Sequence, residues 1–317
     1  MRRLWGSVLL GLGMFLIVAA GMLRFYVFDQ LLITPKDQYA QTVAPGTGTY
    51  FDAGNLRETT SDLVARRTLK GDVAASNSKT GVWDVSLVIE TGDGTFVRAV
   101  LDRVAFDRRS GQSVHCCGEA VDSAPVKHDG VTYKFPFNTT KGTYQFWDVN
   151  SSAGYPARFQ SEEKIEGLNT YKFIQEIPSH QILTEEVPGS LLGESSPTVQ
   201  APVFYQNVRT VWVEPTTGII IKGTEQTKTT LRDSAGQDKV VVLDASFTFD
   251  SPTQKSQADL ARDSLDRIRL VKWIIPGIAL VVGLGMLALG ALMLRRADRP
   301  VEPPPAPAEE PVKEPVA

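Results

Sequence analysis

Two long uncharged runs bracket the chain, Leu4 to Leu23 and Trp273 to Leu294, and much of what lies between them alternates polar with apolar residues. Each run is about 20 residues, the length an α-helix needs to cross roughly 30 Å of hydrocarbon. The alternation predicts strands separated by tight turns. Val82 to Glu90 is rich in β-branched residues, Gly92-Asp93-Gly94 signals a hairpin, and Thr95 to Phe106 returns. Arg158 to Glu166 and Thr170 to Ile177 flank Gly167 as a second hairpin. Asn207 to Val213 and Ile219 to Thr230 flank the turn Glu214-Pro215-Thr216-Thr217-Gly218 as a third, and Lys239 to Phe249 alternates again. Tyr133 to Phe137 reads as an aromatic strand with Pro136 marking an edge or bulge. Thr139 to Gly142 turns, and Tyr144 and Phe146 resume the alternation.

The predicted fold class is mainly β: a large antiparallel β-barrel or sandwich between N-terminal and C-terminal transmembrane α-helices. One further helix is expected from Ser251 to Val271, with Ser251 as N-cap and Pro252 at the first helical position. It should run on into the second apolar run until Pro276 bends it, and the first run should continue through Phe25 to Leu32. The expected organisation is an N-terminal anchor over 1–24, a β-rich domain over 25–250, a helical stalk over 251–272 and a second span over 273–295. A Pro/Glu-rich tail over 296–317 closes the chain, expected to be disordered with polyproline II character.

Charge sets the orientation. Arg2 and Arg3 precede the first run, and Arg295, Arg296 and Arg299 follow the second, which places both tails in the cytoplasm. Arg24, Arg262, Arg267, Arg269 and Lys272 pull the other way, but large domains cross membranes largely regardless of their charge. The first run exceeds the roughly 7–15 residues of a signal-peptide core, which favours an uncleaved anchor. The expected location is the plasma membrane, two-pass, with the bulk of the chain outside the cytoplasm. Ser7 with Gly11, and Ala279 with Gly283, offer small residues for helix pairing.

A net charge of −3 with acids and bases interspersed argues against nucleic-acid binding. Three histidines and two cysteines leave little for a metal site, and no cofactor is expected. Adjacent Cys116 and Cys117 cannot comfortably share a zinc ion. They either form a vicinal disulfide, redox-active or a structural kink eased by Gly118, or pair with other chains. His115 and Glu119 beside them read as ordinary loop residues. Gly193-Glu194-Ser195-Ser196-Pro197 lacks the second glycine of a nucleophile elbow, and the pairs Glu162-Glu163 and Glu185-Glu186 face opposite sides of a strand. No catalytic residues are expected, and the chain does not read as an enzyme. The candidate ligand-binding residues are Tyr133, Phe135, Phe137, Tyr144, Phe146 and Trp147. These rings either fill a core or wall an apolar cavity for an acyl chain.

Tyr133-Lys134-Phe135-Pro136-Phe137-Asn138, followed by Lys141-Gly142-Thr143-Tyr144-Gln145-Phe146-Trp147-Asp148, resembles the aromatic signature of an actinobacterial envelope family, the porin PorA family. Val213-Glu214-Pro215-Thr216-Thr217-Gly218 and the arginine-rich approach to the second apolar run resemble it too. The resemblance implies a doubly anchored envelope protein and supplies no catalytic residues. The layout is also similar to class B scavenger receptors, whose β-rich ectodomains pass lipids through a tunnel, a likeness of architecture alone. The strands carry charges where a membrane barrel needs apolar residues, so a membrane-embedded barrel is not expected. The expected function is non-enzymatic binding or relay of an apolar ligand, with membrane lipid and envelope proteins as partners. The alternatives are an envelope scaffold or, last, a channel.

Overall fold

The computed structural model describes residues 2–27 and 32–297. Part of the expected continuation of the first apolar run through Leu32 and most of the Pro/Glu-rich tail lie outside the described residues. Chain order is α1 (Arg2–Met22), β1 (Tyr39–Asp52), β2 (Arg57–Gly71), β3 (Thr80–Thr91), β4 (Phe96–Asp107), β5 (Ala120–Val121) and β6 (Ala124–Pro125). There follow β7 (Thr143–Asp148), β8 (Ala153–Ile165), β9 (Leu168–Pro188), β10 (Thr198–Val213), β11 (Ile220–Arg232), β12 (Asp238–Thr248), α2 (Ser251–Arg269) and α3 (Ile275–Ala297). Contacts divide the chain into two units, one made of its two ends and one of Leu32–Ile268.

In the first unit α1 and α3 pack antiparallel. A Cβ added at Gly13 would lie 2.7 Å from the Gly283 carbonyl oxygen, and one at Gly290 would lie 2.8 Å from that of Gly6. Such close backbone approach is what small residues permit between apolar helices. Gly283 was an expected contact; its partner is Gly13, while Gly11 faces open space. Both helices are long and apolar enough to cross a membrane. A π-turn, Leu270–Ile274, ends two residues before Pro276. Proline lacks an N–H and crowds the carbonyl four residues back, and widening the preceding turn relieves that clash without breaking the helix.

The second unit is one 12-stranded antiparallel sheet in the order β6-β5-β4-β3-β2-β1-β12-β11-β10-β9-β8-β7. Two meanders therefore run outward from a central pairing of β1 with β12, Gly46 opposite Phe247 and Tyr50 opposite Leu243. The sheet curls until its ends approach. Isolated bridges Phe106 to Ser113, Gln112 to Val131 and Val131 to Phe146 then join β4 to β7 through the intervening loop. The inner face of β10 shows how the sequence dictates this. Ala201, Val203, Tyr205, Asn207, Arg209, Val211 and Val213 are all buried, every second residue, with partly or fully exposed residues between most of them. Apolar residues occupy both ends of that row and polar ones its middle.

The predicted hairpins form β3–β4, β8–β9 and β10–β11, with β12 following. The aromatic segment differs from expectation. Residues 132–142 are a loop rather than a strand. Pro136 cannot donate to a ladder, and Asn138 takes a left-handed φ of 55°. The loop lies instead along the β10–β11 turn: Phe135 N donates to Gly218 O at 3.0 Å and Thr139 N to Pro215 O at 2.7 Å. Gly218 is required there, since its φ is 74° and a Cβ would sit 2.0 Å from the Phe135 carbonyl oxygen.

The helix α2 is also capped one residue earlier than expected. Asp250 Oδ1 accepts from Thr253 N at 2.8 Å, so Asp250 is the N-cap and Ser251 the first helical residue. Thr253 Oγ1 meets the β1 backbone at Val43, and Ala258 and Ala261 pack on Ile221 with Ile165, Leu168 and Ile219. The helix thus forms one wall of the domain.

Candidate functional site: paired cavities and a buried charged belt

Two neighbouring cavities occupy the interior of the curled sheet. The larger, about 230 Å³, lies among Ala40, Leu69, Trp83, Lys134, Phe137 and Leu260, with α2 along one side. The smaller, about 90 Å³, lies among Val85, Val100, Phe146, Trp147, Arg209 and Leu243. Their walls share Thr42, Arg67, Tyr133, Ile220 and Phe249, so a single ring of side chains separates them. An engineered cavity of ~150 Å³ holds a benzene ring and drug-sized ligands need ~300–1,000 Å³, so the larger space suits one slim apolar group.

The six candidate aromatics divide between two roles. Phe135 is fully buried in a cluster with Val131, Phe146, Phe173, Val211 and Val213, and Tyr144 packs against it with its ring 5.2 Å from that of Phe135. Those two rings fill the core. Phe137 faces the larger cavity, Phe146 and Trp147 the smaller, and Tyr133 both.

Polar residues form a belt across the same interior. Arg209 Nε donates to Glu225 at 2.6 Å, Nη2 to Asp148 at 3.0 Å, and Nη1 to Gln175 Oε1 at 2.8 Å and to Trp147 O at 3.2 Å. Tyr205 OH donates to the same Asp148 oxygen at 3.1 Å, and Arg67 stands 3.7 Å from Glu225. Burial opposes the Arg209 charge, but Glu225 and Asp148 more than compensate and hold the guanidinium above its ordinary value. A second cluster lies at Tyr133, whose hydroxyl donates to Asp102 Oδ2 at 2.5 Å. The other Asp102 oxygen is 2.7 Å from His128 Nε2, and His128 Nδ1 is 2.9 Å from Glu119. Burial, the largest single influence on His128, lowers it, yet the hydrogen bonds to Asp102 and Glu119 raise it overall. A carboxylate at each ring nitrogen favours imidazolium, the only form in which both nitrogens donate.

Glu119 is therefore more than a loop residue: it also meets His115 Nδ1 at 3.0 Å. Its burial acts to raise it, but the His128 and His115 hydrogen bonds hold it below the usual carboxylate range. Beside it Cys116 and Cys117 are joined in a disulfide. Arg103 Nε donates to Cys117 O at 3.0 Å and anchors this segment to β4.

Lys134 occupies the wall of the larger cavity. Its Nζ donates to Phe135 O at 3.1 Å and sits 3.7 Å from the centre of the Phe137 ring. Burial depresses its ammonium to about 7, with Glu214 pulling the other way. Trp83 and Trp147 are both buried, and neither indole N–H finds an acceptor among the described residues. Sequence reasoning missed Lys134, Trp83, Arg209, Asp102 and His128. Only Lys134, a lone cation between aromatics, carried a local signal.

A family model described as Porin PorA matches residues 5–292. A Porin PorA of Corynebacterium amycolatum is 22% identical over 379 residues, covering 92% of this chain and 98% of the relative. A Porin PorA of Corynebacterium resistens is 22% identical over 411 residues, covering 94% of this chain and 99% of the relative. With the match running from the first apolar helix to the last, the chain belongs to the Porin PorA family.

Proposed function

We propose that this chain is a non-enzymatic binding protein that holds or relays an apolar ligand of the cell-envelope lipid class inside its β domain. Its two apolar helices anchor it in the plasma membrane, with the β domain outside the cytoplasm, where lipid is at hand. The observation that carries this reading is the pair of adjoining cavities, walled by Leu69, Phe137, Ile220, Phe249 and Leu260, within the curled sheet. A solid β domain would fill that space with side chains, because protein interiors pack at crystal density.

The test is mass spectrometry of lipids that copurify with the full chain, compared with an Ile220→Trp variant that fills the ring between the cavities. Lipid carried by the native chain and lost from a folded variant supports the reading. Equal lipid on both, or none on either, refutes it.

The relatives' name raises a channel as the second reading. Neither apolar helix carries a charged residue from Leu4 to Leu23 or from Trp273 to Leu294, so neither offers the polar lining that a water-filled pore needs. Exposed Arg57, Glu58, Lys164, Glu176, Glu185 and Glu186 on the strands are equally unsuited to lipid contact. Stepwise conductance across planar bilayers containing the purified chain would favour the channel.

A further inference from the structure

We propose that the larger cavity takes a single-chain amphiphile through its carboxylate, with Lys134 Nζ as counter-ion and Trp83 Nε1 as a second donor. This rests on the apolar-ligand reading above and names the ligand's polar end.

Lys134 is a cation set into a cavity wall where apolar side chains such as Leu69, Phe137 and Leu260 alternate with polar ones, and its own neighbours in the wall are aromatic. Its ammonium spends one donor on the Phe135 carbonyl and faces the Phe137 ring, and no carboxylate among the described residues pairs with it. Charges held in such surroundings are otherwise paired, because the desolvation they suffer is recovered only from an opposite charge. The acid that influences it, Glu214, is already engaged by Thr216 N at 3.1 Å and by Thr217 N and Oγ1 at 2.7 Å. The lysine's depressed proton affinity agrees with an ammonium lacking its counter-ion.

Trp83 supplies an independent observation. It lines the same cavity at 3% exposure, and its Nε1 has no acceptor among the described residues. Buried indole N–H groups normally find a partner. A ligand in this cavity that carries acceptor oxygens would give the indole the partner it lacks. Ala40, Leu69, Ile219, Phe249 and Leu260 leave an apolar surface for the rest of the molecule.

The charge balance selects a carboxylate. One ammonium matches one negative charge, whereas a phosphate brings about −1.5 to −2 at neutral pH. Arg67 does not make up the difference, since it is committed to Glu225 at 3.7 Å and to the face of Tyr133. The remaining charges of the lining, Arg267 and Asp263 on α2, are exposed to solvent and opposite in sign, so they add no net charge. Tyr133 is in turn committed to Asp102.

The test uses the full chain held in amphipol, which avoids competing detergent, and measures retention of radiolabelled dodecanoic acid, dodecanol and dodecyl phosphate. The native chain should hold dodecanoate roughly tenfold or more tighter than dodecanol, the advantage of a charge-assisted hydrogen bond. Lys134→Met should abolish the preference, so that dodecanoate is held no tighter than dodecanol, and Lys134→Arg should keep it. Equal binding of acid and alcohol to the native chain overturns the carboxylate assignment and leaves the apolar-ligand reading standing. Preference for the phosphate also overturns it. Binding of none of the three overturns the apolar-ligand reading itself.

Discussion

Arg209→Met puts the buried belt to a quantitative test. The Arg209 side chain is 9% exposed and that of Asp148 0%, and the guanidinium also serves Glu225, Gln175 and the Trp147 carbonyl. Removing one partner of a buried ion pair costs about 3–5 kcal/mol, because the remaining charge keeps its desolvation penalty and loses its compensation. For a domain of this size each kcal/mol moves Tm by roughly 2–4 °C, so a fall of about 6–20 °C follows. The assay is thermal unfolding of the full chain in amphipol, followed by tryptophan fluorescence. Adding Asp148→Asn and Glu225→Gln to Arg209→Met removes the stranded charges and should recover at least half of the loss. A single-variant shift within about 3 °C of native, less than ~2 kcal/mol on the same scale, would show that solvent reaches the belt and refute the reasoning.

Four further outcomes follow from particular contacts. Phe135→Ala, which empties a fully buried ring site, should cost about 3–5 kcal/mol and leave ligand affinity unchanged in the folded fraction. Phe137→Ala should do the reverse, with weaker retention of labelled dodecanoate and a small change in Tm, because its ring faces the larger cavity. His128, raised in the folded state, contributes stability that is complete below its unfolded value of about 6.5 and lost as pH climbs through its folded value. Glu119, lowered in the folded state, contributes in the opposite sense, fully above its unfolded value and lost as pH falls. Denaturation midpoints measured across pH should therefore decline on the alkaline side, and His128→Gln should flatten that decline. Finally, Gly13→Ile should drive α1 and α3 apart, since even a Cβ meets the Gly283 carbonyl. The distance between spin labels on Leu12→Cys and Leu289→Cys, both on exposed positions, should lengthen accordingly, and an unchanged distance would refute that packing.

Much of the fold could be read from local pattern. The hairpins at Gly92-Asp93-Gly94, Gly167 and Glu214 to Gly218 carry their own turn chemistry, and both apolar runs declare themselves by length. β1 and β2 escaped because Tyr39 to Gly71 is threonine- and arginine-rich, with weak alternation, and gains its order from long pairing with neighbours. The aromatic segment was misread as a strand because alternation of rings says nothing about backbone partners, which here belong to the β10–β11 turn. That left Phe135 and Tyr144 in the core, Phe146 shared between the core and the smaller cavity, and Tyr133, Phe137 and Trp147 at the cavities. The belt was invisible for another reason. Arg209, Asp148, Glu225, Asp102 and His128 stand far apart in sequence and meet only when the sheet curls. In the linear chain each looks like an ordinary strand or loop charge.

The central seam between β1 and β12 governs how the domain can be made. Ribosomes deliver β1 first and β12 last, so Gly46 must wait for Phe247 before the middle of the sheet exists. Pairings so distant in sequence slow folding, and an incomplete chain displays a bare strand edge that invites aggregation. A nascent chain stalled before Asp238 would hold every other strand and still lack the one that unites its halves. Its biogenesis therefore calls for shielding of that edge until translation is nearly finished, and truncations just upstream of β12 should be cleared by proteolysis rather than accumulate as folded fragments.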